Sequence, residues 1–423
     1  MRNFVWSCLA AVLLAFPAAV SAKPPNVVMI ISDDQRWTDF GFMGHGTIRT
    51  PHLDRLAKQS ALFPRGYVPS SLCRPSLATL ISGLYPHQHK ITGNDPPKGT
   101  NRAEMLRHIR RIPKLPTLLA TKGYVSHQSG KWWEGNHSLG GFTAGMTHGD
   151  PKRRGRHGDE GLKIGRTGLK PIYDFIESAN EKPFFIWYAP FLPHTPHNPP
   201  QRLLDKYMAP GKSIHVARYQ AMCEWFDETC GELLGFLDKK KLADDTLVVF
   251  VTDNGWIQQA NRGGYAPKSK RSPYDGGVRT PIMLRWPGKV KPGNYDTLVN
   301  SIDLVPTILA AAGVKPTDEM QGIDLRKVIA ANGKTERQRI FGEVFAHDVV
   351  DISDPGRSLQ YRWAIEGKWK VILPANSTAQ SELYDLEADP HETKNLAGSQ
   401  ADMLKRLTQA TNTWWPGKTL PRK

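Results

Sequence analysis

Asp33 and Asp34 close the apolar run NVVMIIS, and Asp253 and Asn254 close a second one, TLVVFVT. Adjacent carboxylates at a strand end repel unless a cation or a proton lies between them. Asp253 and Asn254 add two hard oxygen ligands of the kind that Ca²⁺ or Mg²⁺ takes. Alone, DD serves as a helix-cap pair and DNG as a tight turn; together they make one divalent-cation site. Cys73 opens the run CRPSLATLISG, with Pro75 in a first helical turn and Ser82 and Gly83 at the helix end. A cysteine at a helix N-terminus faces positive dipole ends, which favours anionic chemistry, although taken by itself it is more often a packing residue.

Four short apolar runs are predicted strands: Asn26–Ser32, Pro183–Ala189, Thr246–Thr252 and Pro281–Arg285. Helical spacing lies between them at Leu53–Leu62, Pro75–Ile81, Leu115–Lys122, Val216–Leu237 and Asp303–Ala312. This alternation predicts an α/β fold, a large mixed, mostly parallel sheet sandwiched by helices. The clusters DD, PHTPH and TDNG follow strands directly, and open α/β sheets bind ligands at strand carboxyl ends, so three distant segments should meet on one rim. Closely spaced runs at Ile340–Phe345, Tyr361–Glu366, Trp369–Leu373 and Ser381–Leu386, then a helix near Ala401–Thr411, predict a smaller C-terminal α+β subdomain. Gly140–Arg166 lacks hydrophobic periodicity and is predicted to be a long loop over the rim.

The 423 residues are 39% hydrophobic, 9% aromatic and 23% charged, which excludes a mini-protein and a mainly disordered chain. The net charge of +16 favours polyanionic ligands without naming one. Residues 1–22 have the basic start, apolar run and small-residue end of a secretory leader, with cleavage after Ala22. The run is too short to span a bilayer, so the expected location is periplasmic or extracellular, with no stable membrane span. Cys8 would leave with the leader. Cys223 and Cys230 lie seven residues apart in a helical pattern, beyond disulfide reach, and are predicted to be buried, which leaves Cys73 to be explained. Export and the carboxylate cluster argue against nucleic-acid binding.

Cys-Arg-Pro-Ser at 73–76 with Gly83 resembles the signature of the type I sulfatases, the formylglycine-dependent, arylsulfatase-like branch of the alkaline phosphatase superfamily. Further landmarks agree in order over nearly the whole chain after the leader: TPHLDRLA at 50–57, GKW at 130–132, PHTP at 193–196, VTDNG at 251–255, YDGGVRTP at 274–281, DLVPTILAAAG at 303–313 and LYDLEADPHETKNL at 383–396. The resemblance implies that Asp33, Asp34, Asp253 and Asn254 hold one Ca²⁺, with the group derived from Cys73 as a further ligand. It implies that a maturation enzyme oxidises Cys73 to formylglycine, whose hydrate attacks sulfur while the alcohol leaves. Lys131 and Lys270 match the sulfate-contacting lysines. His194 matches the histidine that binds sulfate or protonates the leaving oxygen, with His197 as second choice.

Two positions depart from the family pattern. Leu77 stands where the signature has an arginine that serves maturation and positions the formylglycine, and Trp133 stands where GKWHLG has a histidine that helps expel sulfate. His87, His89 and His137, near the altered motifs in sequence, are the candidate substitute bases. The expected organisation is a leader at 1–22, a catalytic domain at 23–332 and a C-terminal subdomain at 333–423. The expected function is a secreted sulfuric ester hydrolase acting on a sulfated carbohydrate, with Lys152–Arg156 and Lys268–Arg271 as basic segments suited to such a substrate. The alternatives are a phosphate or phosphonate ester hydrolase on the same fold and a non-catalytic sulfated-glycan binder.

Overall fold

Every residue of Asn26–Ser32 is buried, and its side chains alternate between two cores: Val27, Met29 and Ile31 face one, Val28 and Ile30 the other. A strand apolar on both faces needs cover on both, as in a sheet sandwiched by helices. A computed structural model describes residues 23–150, 152, 155–376 and 378–417 of the chain, so the predicted leader lies outside the described residues. The strands are β1 (Asn26–Ser32), β2 (Ala61–Phe63), β3 (Gly66–Tyr67), β4 (Val125–Gly130), β5 (Ala144–Gly145), β6 (Phe184–Ala189), β7 (Thr246–Thr252), β8 (Ile282–Arg285), β9 (Gly293–Asn294), β10 (Val299–Asn300), β11 (Arg339–Phe345), β12 (Leu359–Glu366), β13 (Trp369–Pro374) and β14 (Glu382–Asp385). The main sheet runs β5-β4-β6-β1-β7-β8-β2-β9. β4, β6, β1 and β7 are parallel and β8 is antiparallel to β7, so the sheet is mixed and mostly parallel, as expected. The carboxyl ends of those four parallel strands share one edge.

β4 was not expected, because its sequence VSHQSG is polar. Two of its buried polar side chains are hydrogen-bonded: Ser129 Oγ donates to the Trp187 carbonyl at 2.8 Å, Gln128 Nε2 to the Gly130 carbonyl at 2.9 Å, and Gln128 Oε1 accepts from the Thr147 N–H at 3.0 Å. Satisfied polar side chains can line a central strand that a search for apolar runs passes over. The predicted helix Leu53–Leu62 is also corrected. The helix is Pro51–Lys58, and after Ser60 turns back to bond the Leu56 carbonyl, Ala61–Phe63 pairs with β8. Cys223 and Cys230 are buried and unlinked in the helix Ile214–Lys239.

The C-terminal strands form a separate antiparallel sheet, β11-β12-β13-β14, flanked by the helix Ala401–Trp414. It is joined to the main body through apolar packing and a buried ionic knot. Trp363, Ile365 and Ile372 share a core with Val27 and Val249. Lys370 Nζ lies 2.8 Å from carboxylate oxygens of both Asp275 and Glu392, all three side chains being buried. The predicted loop Gly140–Arg166 is long but locally fixed: the Asp159 carboxylate accepts the N–H groups of His148, Gly149, Asp150 and Glu160. Among the described residues no helix is long and apolar enough to cross a membrane.

Candidate active site

The carboxyl edge of the main sheet gathers the predicted residues. Asp33 and Asp34 follow β1, Asp253 and Asn254 follow β7, Lys131 follows β4, and His194 lies on the segment after β6. Asp34 takes φ 61°, a left-handed conformation that costs a non-glycine residue free energy and marks an over-determined position. Its N–H donates to Asp253 Oδ1 at 3.0 Å, and Asn254 Nδ2 donates to Asp34 Oδ1 at 2.7 Å. Gly130, at φ 90°, lets β4 turn toward the site; a Cβ there would stand 1.9 Å from the Ala189 carbonyl oxygen. The next residue, Lys131, then donates from Nζ to Asp33 Oδ1 at 2.7 Å.

Cys73 is the first residue of the helix Cys73–Ser82, which ends at Gly83 with φ 71°. Its Sγ lies 3.1 Å from Lys270 Nζ, and that ammonium also contacts both Asp34 oxygens, at 2.6 and 2.7 Å. His194 Nδ1 is 2.6 Å from the Thr195 carbonyl, which places the proton on Nδ1 and leaves Nε2 facing Asp34 Oδ2 at 3.3 Å. Burial, then the charge of Lys131, hold this imidazole well below its ordinary pKa. Burial alone would neutralise Asp34, but the charge of Lys270 outweighs it and holds the carboxyl low. Burial dominates at Asp33 and Asp253 and raises both, against the pull of Lys131. Burial also pushes the Cys73 thiol up to about 12.

Three buried oxygens in this cradle have no hydrogen-bond partner among the described residues: Asp33 Oδ2, Asp253 Oδ2 and Asn254 Oδ1. Potential ligand atoms of Asp33, Asp34, Cys73 and His194 lie within 4.8 Å of one another. Buried carboxylate oxygens left unpaired are expensive, and hard oxygen donors clustered this way fit a Ca²⁺-type cation. A pocket of about 350 Å³ opens above them, lined by Cys73, Lys131, His194 and Lys270 together with Asn94, Trp133, Arg156, His157, Trp256, Arg271 and His347.

The candidate substitute histidines are elsewhere. His87 bonds the Glu343 carboxylate at 2.9 Å, buried His89 bonds Thr79, and His137 contacts the Thr147 carbonyl. The second-choice His197 packs against Tyr219 and Trp256, with centroids at 5.4 and 5.9 Å, and does not line the pocket. His157 and His347 do line it. His157 arrives on the loop after β5, which was expected to overlie the rim. His347 comes from the C-terminal region, and no motif in its own sequence marks it. Leu77 is buried in the core, and Trp133 forms a pocket wall, with the guanidinium carbons of Arg102 and Arg156 5.4 and 5.0 Å from its ring centroid.

The family model described as Sulfatase matches residues 25–314, and the model described as N-sulphoglucosamine sulphohydrolase, C-terminal, matches residues 263–413. Arylsulfatase A of Homo sapiens is 28% identical over 468 residues, covering 95% of this chain and 89% of that protein. N-acetylgalactosamine-6-sulfatase of Homo sapiens is 29% identical over 459 residues, covering 93% and 86%. Among solved structures, Ps i-CgsB in complex with k-i-k-neocarrahexaose superposes with a TM-score of 0.77 at 23% identity, covering 94% of each chain.

Proposed function

The chain belongs to the sulfatase family, and from that premise we propose that it is an exported hydrolase of sulfate esters on a carbohydrate, dependent on one Ca²⁺ and on a formylglycine made from Cys73. The carrying observation is the cradle itself: three unpartnered buried oxygens beside two buried lysines and Cys73. Asp33, Asp34, Asp253 and Asn254 would hold the Ca²⁺, which when bound polarises the sulfate oxygens. Lys131 and Lys270 bind anionic oxygen through fixed ammonium groups, which replace the water that a sulfate loses on entering the pocket. His194, with its proton held on Nδ1, turns Nε2 toward the same space.

An unconverted Cys73 is a poor nucleophile, because a thiol with a pKa near 12 is almost wholly protonated at neutral pH. Conversion by a maturation enzyme is therefore part of this reading, with Leu77 tolerated. The base role left open by Trp133 goes to His347. The Arg74 N–H donates to Asn94 Oδ1 at 3.1 Å, which turns Asn94 Nδ2 toward His347 Nε2, a long 3.5 Å contact. The His347 proton then sits on Nδ1, 2.6 Å from Asp348 Oδ1, and Nε2 carries the lone pair that can accept a proton.

The test combines sulfate release from a panel of sulfated oligosaccharides with the mass of the residue-73 peptide from protein made in a host that has the maturation enzyme. Sulfate release with an aldehyde at position 73 is the expected result. An unmodified thiol with no release, or faster turnover of phosphate or phosphonate esters than of sulfate esters, overturns the reading.

A further inference from the structure

The catalytic cradle does not account for the chain's positive charge, since it sets Asp33, Asp34 and Asp253 against Lys131 and Lys270, while the whole chain carries +16. A second cavity, of about 470 Å³, lies between the turn after the helix Pro86–His89 and the segment 107–113. Lys90, Arg107 and Arg111 line it together with His108. None of the three long cations has a carboxylate partner among the described residues. Arg107 donates to Ser353 Oγ at 2.5 Å, and the one acidic residue lining the cavity, Glu319, accepts from Thr317 Oγ1 instead. Lys90 holds φ 60°, a left-handed position that glycine or asparagine fills at less cost. Three like charges converging on one cavity repel each other, and an anion would relieve that repulsion. The surrounding field agrees: burial, then Arg107, Arg74 and Lys90, outweigh the bond to the Ile352 carbonyl and lower His108 to about 4, so its ring stays neutral.

The position of the cavity suggests an occupant. The 3-10 helix Arg102–Arg107 runs between the two cavities: Arg102 stacks on Trp133, a wall of the catalytic pocket, and Arg107 lines the second cleft. Six residues at about 2 Å rise put the two ends roughly 10 Å apart. A polymer bearing repeated anionic groups could reach both.

We propose that the Lys90–Arg107–Arg111 cleft is a second binding site for an anionic stretch of a sulfated polysaccharide, holding the chain while one of its sulfate esters occupies the catalytic pocket. The proposal rests on the sulfatase reading for the pocket and on its own geometry for the cleft.

The experiment measures binding of dextran sulfate to the full chain carrying Cys73→Ala, so that binding is read without turnover. Adding Lys90→Gln, Arg107→Gln and Arg111→Gln together is expected to raise the Kd at least tenfold at unchanged melting temperature. A charge-matched control, Lys122→Gln with Lys182→Gln and Lys239→Gln, is expected to raise it less than threefold. Equal weakening by the two triples, or none by the cleft triple, overturns the proposal. In the converted enzyme the cleft triple is expected to raise KM for a sulfated polymer and leave kcat/KM for a small aryl sulfate unchanged. If no sulfate ester is turned over at all, the sulfatase reading fails while the binding measurement still decides the cleft. A cleft triple that lowers aryl sulfate turnover as well overturns its assignment as a site distinct from the pocket.

Discussion

Two buried ionic clusters grow from the same two motifs and behave oppositely. Arg74, next to Cys73, donates from Nε to Glu134 Oε1 at 2.6 Å and from Nη2 to Oε2 at 2.8 Å; its other contacts go to the carbonyls of Gly93 and Met105. Both side chains are almost wholly enclosed, at 2 and 3% exposure. In the cradle, Lys131, three residues before Glu134, and Lys270 face three carboxylates, with pKa values displaced in both directions, and Asp33, Asp253 and the neighbouring Asn254 each retain an oxygen without a hydrogen-bond partner among the described residues. The first cluster is closed and has nothing left to offer a ligand. The second is incomplete as protein and is finished by what binds it. Burial of charge is common to both, so saturation of the polar atoms is what separates a structural pair from a reactive one.

The largest test of that distinction is Asp253→Asn. It is expected to lower sulfate ester turnover by about 10³ or more, as loss of a preorganised charge does, and to abolish the Ca²⁺ binding proposed for the cradle, read by elemental analysis beside the unsubstituted protein. The fold should persist, by circular dichroism. Glu134→Gln should do the reverse. It strands the Arg74 charge and is expected to cost about 3–5 kcal/mol of stability in denaturant titration, while the folded protein keeps its metal. Metal loss in Glu134→Gln without loss of stability would erase the contrast.

A smaller effect sharpens the catalytic side. His347→Asn is expected to lower kcat by roughly 10²-fold, the low end for general acid–base catalysis, with KM for a sulfate ester little changed. An unchanged kcat removes the base role assigned to it. The mildest test is chemical. In unconverted, metal-free protein the rate of Cys73 alkylation by iodoacetamide should rise about tenfold per pH unit between pH 8 and 10, because burial places the thiol near 12 and only the thiolate reacts. A plateau near pH 9 would mean an ordinary, accessible thiol.

The pattern of apolar runs locates Asp33, Asp34, Asp253 and Asn254, because each pair ends a strand buried on both faces, and that periodicity survives in one sequence. Lys131 was found through its motif, not through its strand, since the polar residues of β4 hide a central position. Proximity in sequence does not identify a second base: His87 and His89 sit just past the Cys73 helix yet point into other contacts. His347 reaches the pocket from about 270 residues beyond Cys73 through the fold of the C-terminal sheet, and no local pattern records such a meeting.

That distance also sets a clock. Cys73 is 1% exposed in the finished structure, so under the proposed formylglycine chemistry a maturation enzyme would have to reach it before the chain closes around it. His347, which supplies part of the wall of the pocket that Cys73 lines, emerges from the ribosome late. At ~5–20 residues per second, roughly 270 residues take on the order of 10–60 s to synthesise. Within that interval the cysteine is already made and the wall that His347 supplies is not. Slowing or hastening elongation downstream of position 83 would thus change the fraction of molecules converted while leaving every contact in the folded protein as it is.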